Sequence, residues 1–513
     1  RGELNRIARS VSVGLLLAFL LVACGEDNGP SNATGSGSGE TDASTGAGGA
    51  SGAGSAAGQG APADSDAAVD AAPSDATTSA DAATESAPNG SNAGDCGKVS
   101  TFEEGLAPAA FLHVASDGSD SSGDGSESAP FASIEHGASR ATPGTAVVVH
   151  RGSYPGGGYL DELRGTEQAP IWIGGAPGED RPVISGGGEG MHLSRAAFVV
   201  LHDLEVSGAT SNGINCDDGG AYDDEEAAHH MVFRNLYIHD IGAGGNQDCL
   251  KLSGINHFAV LDSLITARRG GMSGSGIDHV GCHHGIIARN YLHDLSANAV
   301  QAKGGSEDIE IRHNHMVNAG ERTVNMGGST GFQFFRPSLS ANGANVEARD
   351  IRVVSNLIQG AVASLAFVGC VQCAAVNNTI IDPENWIFRI LQETTSQDGF
   401  TFEPCRDNLV ANNLIYFSHG GLSATINIGP DTAADTFTFS NNLWYAHDDP
   451  SRSAPSGLPV TETAAVIGQD PGLSAEYHIG IASPAAGAGA AIDLLSGDYA
   501  GICYASPPSI GAF

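Results

Sequence analysis

Ile311-Arg-His-Asn-His-Met316, Val354-Ser-Asn-Leu-Ile358, Val376-Asn-Asn-Thr-Ile380, Ala411-Asn-Asn-Leu-Ile415 and Phe439-Ser-Asn-Asn-Leu443 are copies of one phrase. Each has an apolar stretch, one or two polar residues, an Asn, and a second apolar stretch. Earlier copies, in Leu201–Val206, Phe233–Ile238, Leu261–Ile265 and Ala288–Leu292, carry Asp or Asn there. Anchoring on Asp203, Asn235, Asp262, Asn290, Asn314, Asn356, Asn378, Asn413 and Asn442 gives steps of 32, 27, 28, 24, 42, 22, 35 and 29 residues. A minimum step near 22, with longer insertions through one class of turn, suits stacked coils of about three short strands. Alternation such as Ile309-Glu-Ile311 and Ile351-Arg-Val353 sends every second side chain inward. The Asn positions call for a turn residue that tolerates left-handed backbone and whose amide bonds to adjacent coils, a structural role. Helical solenoids of this period would not carry Gly inside every unit, and four-stranded propeller blades need longer strands. The expectation is an all-β chain forming a single right-handed parallel β-helix.

Working outward, the 513 residues hold 59 acidic and 23 basic side chains, a net charge of −36. Residues 98–513 alone hold 47 acidic and 20 basic ones, so the acidity belongs mainly to the repeat body. Such a balance excludes a basic nucleic-acid footprint. The 71 glycines punctuate the coils and fill residues 25–97, a Gly/Ala/Ser/Asp-rich stretch with 11 acids and no base. That stretch cannot bury enough apolar surface to offset its ordering entropy and reads as a disordered tether.

Arg1, Arg6 and Arg9 precede a 13-residue apolar run, Val11–Ala23, too short to span a bilayer and suited to a signal peptide. It ends Leu21-Val22-Ala23-Cys24, which resembles a bacterial lipobox. The resemblance implies lipidation at Cys24 and, with Gly25 rather than Asp following, an outer-membrane lipoprotein facing the periplasm or the cell surface. The domains expected are residues 1–24 as signal peptide and lipobox, 25–97 as linker, and 98–513 as a monomeric β-helix. Eight further cysteines permit up to four disulfides. Cys216, Cys249 and Cys282, each 33 apart, suit a stack on successive coils.

Phe111-Leu-His-Val-Ala-Ser-Asp-Gly, Pro143-Gly-Thr-Ala-Val-Val-Val149 and, near the end, Ser509-Ile-Gly-Ala-Phe513 resemble the opening and closing segments of exported proteins of the pectin-lyase-like superfamily. Within that resemblance, Gly245-Asn-Gln-Asp248-Cys-Leu-Lys251 is similar to a Ca²⁺-ligand coil of β-helical pectate lyases. Ser275-Gly-Ile-Asp278 is similar to their next ligand turn, and Asn298-Ala-Val-Gln-Ala-Lys303 to the turn that carries their Lys base. Chondroitinase B and its alginate-lyase relatives have a comparable pattern. In that pattern Gln301 stands where an acidic ligand is expected and Lys303 again matches the base, while the Arg position falls on or beside Asn325, with Arg322 close by. The resemblance implies a Ca²⁺-assisted polysaccharide lyase acting on a uronate-containing polymer, with Asp248 and Asp278 as metal ligands.

The chemistry explains the residue types. β-Elimination removes a weakly acidic proton beside a carboxylate, so a cation must stabilise the enolate-like charge and a base must take the proton. Asp248, Asp278 and Lys303 are spaced by 30 and 25 residues, about one coil each. The acidic run Cys216–Glu226 offers Asp217 and Asp218 as further Ca²⁺ ligands or, in a glycoside hydrolase, as a general-acid pair. Its plainest reading is a solvated insertion. Arg268 and Arg269 suit contacts to a substrate carboxylate. A non-catalytic, glycan-binding or adhesin-like surface solenoid is the rival reading, with these residues only turns.

Overall fold

The computed structural model describes residues 96–242, 247–267 and 274–513. Among these, the strands build parallel sheets of 13, 12 and 10 strands, here sheets A, B and C. In one coil Ala197–His202 belongs to sheet A, Glu205–Ser207 to sheet B and Ile214–Asp217 to sheet C. The chain then returns to sheet A with His229–Arg234, paired in parallel with Ala197–His202. Crossovers between parallel strands of one sheet are right-handed for L-residues. The chain is a right-handed parallel β-helix. A short α-helix, Ile134–Ser139, lies beside the first coils with Ile134 and Ala138 buried, its start capped by Ser133.

Alternation fills the core as the sequence requires. Ile309 and Ile311 sit in register with Ile351 and Val353, and all four are fully buried. The turn from sheet A to sheet B holds the asparagines. Oδ1 of Asn356 accepts from the backbone N–H of Asn314 (2.9 Å) and from its Nδ2 (3.0 Å). Nδ2 of Asn356 donates to the carbonyl of Ile311 (2.8 Å) and to Oδ1 of Asn378 (3.0 Å). The same pattern links Asn290, Asn314, Asn356, Asn378, Asn413 and Asn442. It ends on Glu462, whose Oε1 accepts from the backbone N–H and Nδ2 of Asn442 and whose Oε2 accepts from Trp444 Nε1. Burial raises the Glu462 pKa.

Two roles expected of one residue are divided between neighbours. Asp203, Asn235 and Asp262 fall one position before the ladder, in left-handed backbone with φ of 54°, 52° and 53°. Their row continues through His313, Ser355, Asn377, Asn412 and Asn441, each also with positive φ. These side chains hold the C-terminal segment. Asn441 donates to the carbonyl of Ala488 (3.1 Å), Asn412 to Ala490 (2.9 Å), Asn377 to Ser509 (2.8 Å) and Ser355 to Gly497 (3.0 Å). The segment therefore runs back along the turn row, and a Cys96–Cys503 disulfide joins it to the start of the described residues. Cys216, Cys249, Cys282, Cys370, Cys373 and Cys405 are buried free thiols.

Replacing Asn356 by Ala strips partners from the N–H and Nδ2 of Asn314 and from the carbonyl of Ile311. Each unsatisfied buried group costs about 1–3 kcal/mol, so urea denaturation of Asn356→Ala should show a loss of at least ~2 kcal/mol. An unchanged midpoint would mean the ladder carries no stability.

Candidate active site

Sheet C has an outward row that runs through successive coils as Tyr159, His192, Asn215, Lys251, Asp278, Gln301 and Asn325, then Ala366, Arg389 and Asn427. Neighbours in it lie ~4.8 Å apart, the spacing of hydrogen-bonded strands. The row is polar because its flanking positions are spent on the core: Leu250 and Leu252 straddle Lys251 and are fully buried. His279, beside Asp278, points inward. Burial lowers its pKa to about 4, so the ring is neutral at pH 7.

Asp248, Lys251, Asp278 and Lys303 meet at the centre of this face. Lys251 Nζ donates to Asp248 Oδ2 (3.3 Å) and to Asp278 Oδ2. Lys303 Nζ lies 3.6 Å from the same Asp278 oxygen. Asp248 Oδ1 accepts from the backbone N–H of Ser275 (2.6 Å). The aspartates are 1% exposed, while the Lys251 and Lys303 side chains are 15% and 8% exposed, so the lysines form the accessible side. Burial opposes the Lys251 charge, but Asp278 and Asp248 outweigh it and raise its pKa. Burial also works against ionisation of Asp278, yet Lys251 and Lys303 hold its pKa well below the usual carboxylate range. Asp248, with burial dominant and Asp278 adding repulsion against the pull of Lys251, is pushed up to about 6.

The expected aspartates therefore do come together, but around an ammonium group. Ca²⁺ takes six to eight oxygen ligands. Three of the four carboxylate oxygens here are engaged by Lys251, Lys303 or Ser275, and only Asp278 Oδ1 is left without a hydrogen-bond partner. Among the described residues no group of three or more His, Cys, Asp or Glu side chains is placed to hold a metal. As arranged, this donor set does not fit Ca²⁺. Lys251, the partner of both aspartates, was not among the site residues expected from the sequence. Its signal was the alternation Leu250-Lys251-Leu252, which turns Lys251 to the face that Asp278 occupies one coil on.

Asp217 and Asp218 do not join this cluster. Asp217 accepts from Ser194 Oγ (2.9 Å) and the N–H of Gly219 (2.9 Å), and pairs with His192 Nε2 (2.7 Å). Burial opposes its ionisation, but His192 and these donors outweigh it and lower its pKa, the opposite of a general acid. Asp218 is buried against Arg336, with Nε to Oδ2 at 2.6 Å and Nη2 to Oδ1 at 3.1 Å. Arg336 comes from residues 328–347, an insertion after the strand Arg322–Gly327. It lies across Gly254, Gly281 and Gly305, where a Cβ would come within 2.3–2.7 Å of an Arg336 atom. The acidic run is thus a docking site for another segment rather than a Ca²⁺ loop: Ser338 also bonds Asp223, and Arg336 stacks over Tyr222 at 4.2 Å. Residues 328–347 and 392–408 leave the same sheet C-to-A turn and pack together through Phe332, Phe335, Phe400 and Phe402. Together these insertions wall one edge of the polar row.

Arg322 stands apart from Lys303. It pairs in register with Asn298, five residues before Lys303 and roughly 16 Å away along the strand. Its Nη1 donates to Asn325 Oδ1 (3.2 Å) and its Nη2 to Glu393 (2.5 Å). Asn325 is two places from Asp278 in the outward row, so the Arg322 guanidinium is held further along the face than the lysine cluster. Arg389 and Trp386, stacked at 4.5 Å, continue this end of the face. Arg268 and Arg269 lie outside the described residues, as does Cys24; in sequence the arginines fall between the strands Leu264–Thr266 and Ile277–Val280.

No protein-family model and no curated protein matches the chain. Among solved structures it is similar to a pectate lyase, at 16% identity over 82% of this chain and 99% of that one, with a TM-score of 0.49. An alginate lyase from a Paenibacillus species matches at 14% identity over 63% and 96%, with a TM-score of 0.39. A glycoside hydrolase matches at 10% identity over 68% and 99%, with a TM-score of 0.46.

The His192 triad sets a pH dependence. Burial opposes the charge on His192, but Asp217 and Glu189 hold its pKa up to about 9. Because the folded value exceeds the unfolded one of ~6.5, this stabilisation is full below pH 6.5 and lost as pH rises through about 9. The difference in urea midpoint between the native protein and His192→Gln should therefore be larger at pH 6 than at pH 10. Equal differences would show His192 to be neutral in the fold.

Proposed function

We propose that the protein is a carbohydrate-active β-helix whose sheet C face cleaves an acidic, uronate-containing polysaccharide by β-elimination. The observation that carries this reading is the lysine–aspartate cluster at the centre of a polar row walled along one edge by insertions. A polymer laid along the coils meets a new strand every ~4.8 Å, so successive sugars meet successive members of the row. Lys303, at the edge of the cluster and bonded less closely to carboxylate than Lys251, acts as the free amine and accepts the proton beside the uronate carboxylate, becoming the ammonium. The electron pair forms the C4–C5 double bond, the C4–O bond breaks, and the departing oxygen takes a proton from water. Arg322 and Arg389 bind carboxylates of sugars further along the chain.

Incubation with pectate, alginate and chondroitin tests this through the ultraviolet absorbance of an unsaturated uronide. One of them should give absorbance, and Lys303→Ala should lower kcat by about 10²–10⁴-fold while Arg322→Ala mainly raises KM. New reducing ends without absorbance would mean hydrolysis, and full activity in Lys303→Ala would remove it as the base. Binding without cleavage on all three polymers would favour a glycan-binding solenoid.

The same reading places the domain on a lipid anchor at Cys24, at the end of the tether. Among the described residues no helix is long and apolar enough to cross a membrane. Cys24→Ser should move the protein from the membrane to the soluble fraction of the producing cell; unchanged fractionation would refute the anchor.

A further inference from the structure

Asp248 and Asp278 lie on adjacent coils with their carboxylates buried side by side. Buried like charges at this distance need a cation between them. A bound metal is one solution. This chain supplies another from its own strand, because Lys251 is the in-register neighbour of Asp278 and lies three residues after Asp248. Its Nζ bonds to both carboxylates, and its side chain, rather than theirs, reaches the surface of the face.

We propose that Lys251 is a built-in replacement for a divalent cation, so that the site binds and activates a uronate carboxylate without metal. The inference rests on the lyase reading and deepens it. Two aspartates keep the ammonium protonated and fixed in direction, which a lone surface lysine would not be. When Lys303 takes the proton from C5, the electron pair left behind spreads into the substrate carboxylate, where the Lys251 ammonium faces the growing charge. The pair then moves on to form the C4–C5 double bond as the C4–O bond breaks. Lys251 keeps its proton throughout, acting as an electrostatic group while Lys303 carries the proton. A fixed ammonium also selects for anionic sugars, since a neutral hexose offers it no charge.

The test uses the full-length protein, the variants Lys251→Met and Lys251→Arg, and two readouts. In the first, cleavage of the responsive polymer is measured after chelation with EDTA and after adding CaCl₂. The native protein and Lys251→Arg should be indifferent to both, while Lys251→Met should lose about 100-fold or more in kcat and regain part of it with Ca²⁺. In the second, CaCl₂ is titrated calorimetrically into each protein without substrate. Lys251→Met, with its two aspartates uncovered, should bind one Ca²⁺ more than the native protein, and circular dichroism should confirm that it is folded. Loss of native activity in EDTA with recovery in Ca²⁺ would overturn the proposal, as would a folded Lys251→Met with no additional Ca²⁺ site. The titration does not depend on turnover: an added site in a protein that cleaves none of the polymers would refute the lyase reading while upholding the replacement of the cation.

Discussion

Stacked coils leave the backbone of each turn without strand partners, and the asparagine ladder solves this. Each Asn from Asn290 to Asn442 accepts at Oδ1 from the preceding coil and donates from Nδ2 to both neighbours, so a buried turn is satisfied and one register is fixed. Once that register is set, every other position forms a row. The inward rows become the core, the left-handed row beside the ladder holds the C-terminal segment, and the outward row of sheet C brings Lys251 next to Asp278. A slip by one residue would turn that row inward and dismantle the cluster.

The fold was legible in the sequence because the ladder imposes it locally, in phrases such as Val376-Asn-Asn-Thr-Ile380. The anchors at Asp203, Asn235 and Asp262 were displaced by one residue because left-handed backbone and ladder bonding both favour Asn and Asp. In the site, coil-length spacing was enough to bring Asp248 and Asp278 together and Lys303 beside them. It could not show what lies between the aspartates, which depends on where one lysine stem points. Asp218 was misjudged for a different reason: its partner Arg336 is 118 residues away, on an insertion whose path no periodicity describes. The Cys96–Cys503 pairing was equally hidden, because the return of the C-terminal segment is decided by side chains of the turn row.

A net charge of −36 opposes an anionic polymer at long range. The sheet C face answers this locally. Asp248 and Asp278 are covered by the Lys251 ammonium with Lys303 beside it, Asp217 is paired with a protonated His192, and Arg322 and Arg389 lie further along the same face. The acidic run Asp217–Glu226, which could have repelled such a ligand, is partly spent on holding Arg336 and Ser338. In the proposed complex short-range recognition would work against the overall field, and association should strengthen with moderate salt rather than weaken.

In the proposed complex a uronate chain lies along the outward row of sheet C, with one carboxylate on Lys251 and its C5 hydrogen facing Lys303. A crystal structure of Lys303→Ala soaked with an oligouronate measures this directly. Continuous sugar density should run along the row from His192 towards Arg389, with a carboxylate bonded to Lys251 Nζ. Sugar bound on sheet A or sheet B, or on sheet C with no carboxylate at Lys251, would contradict it.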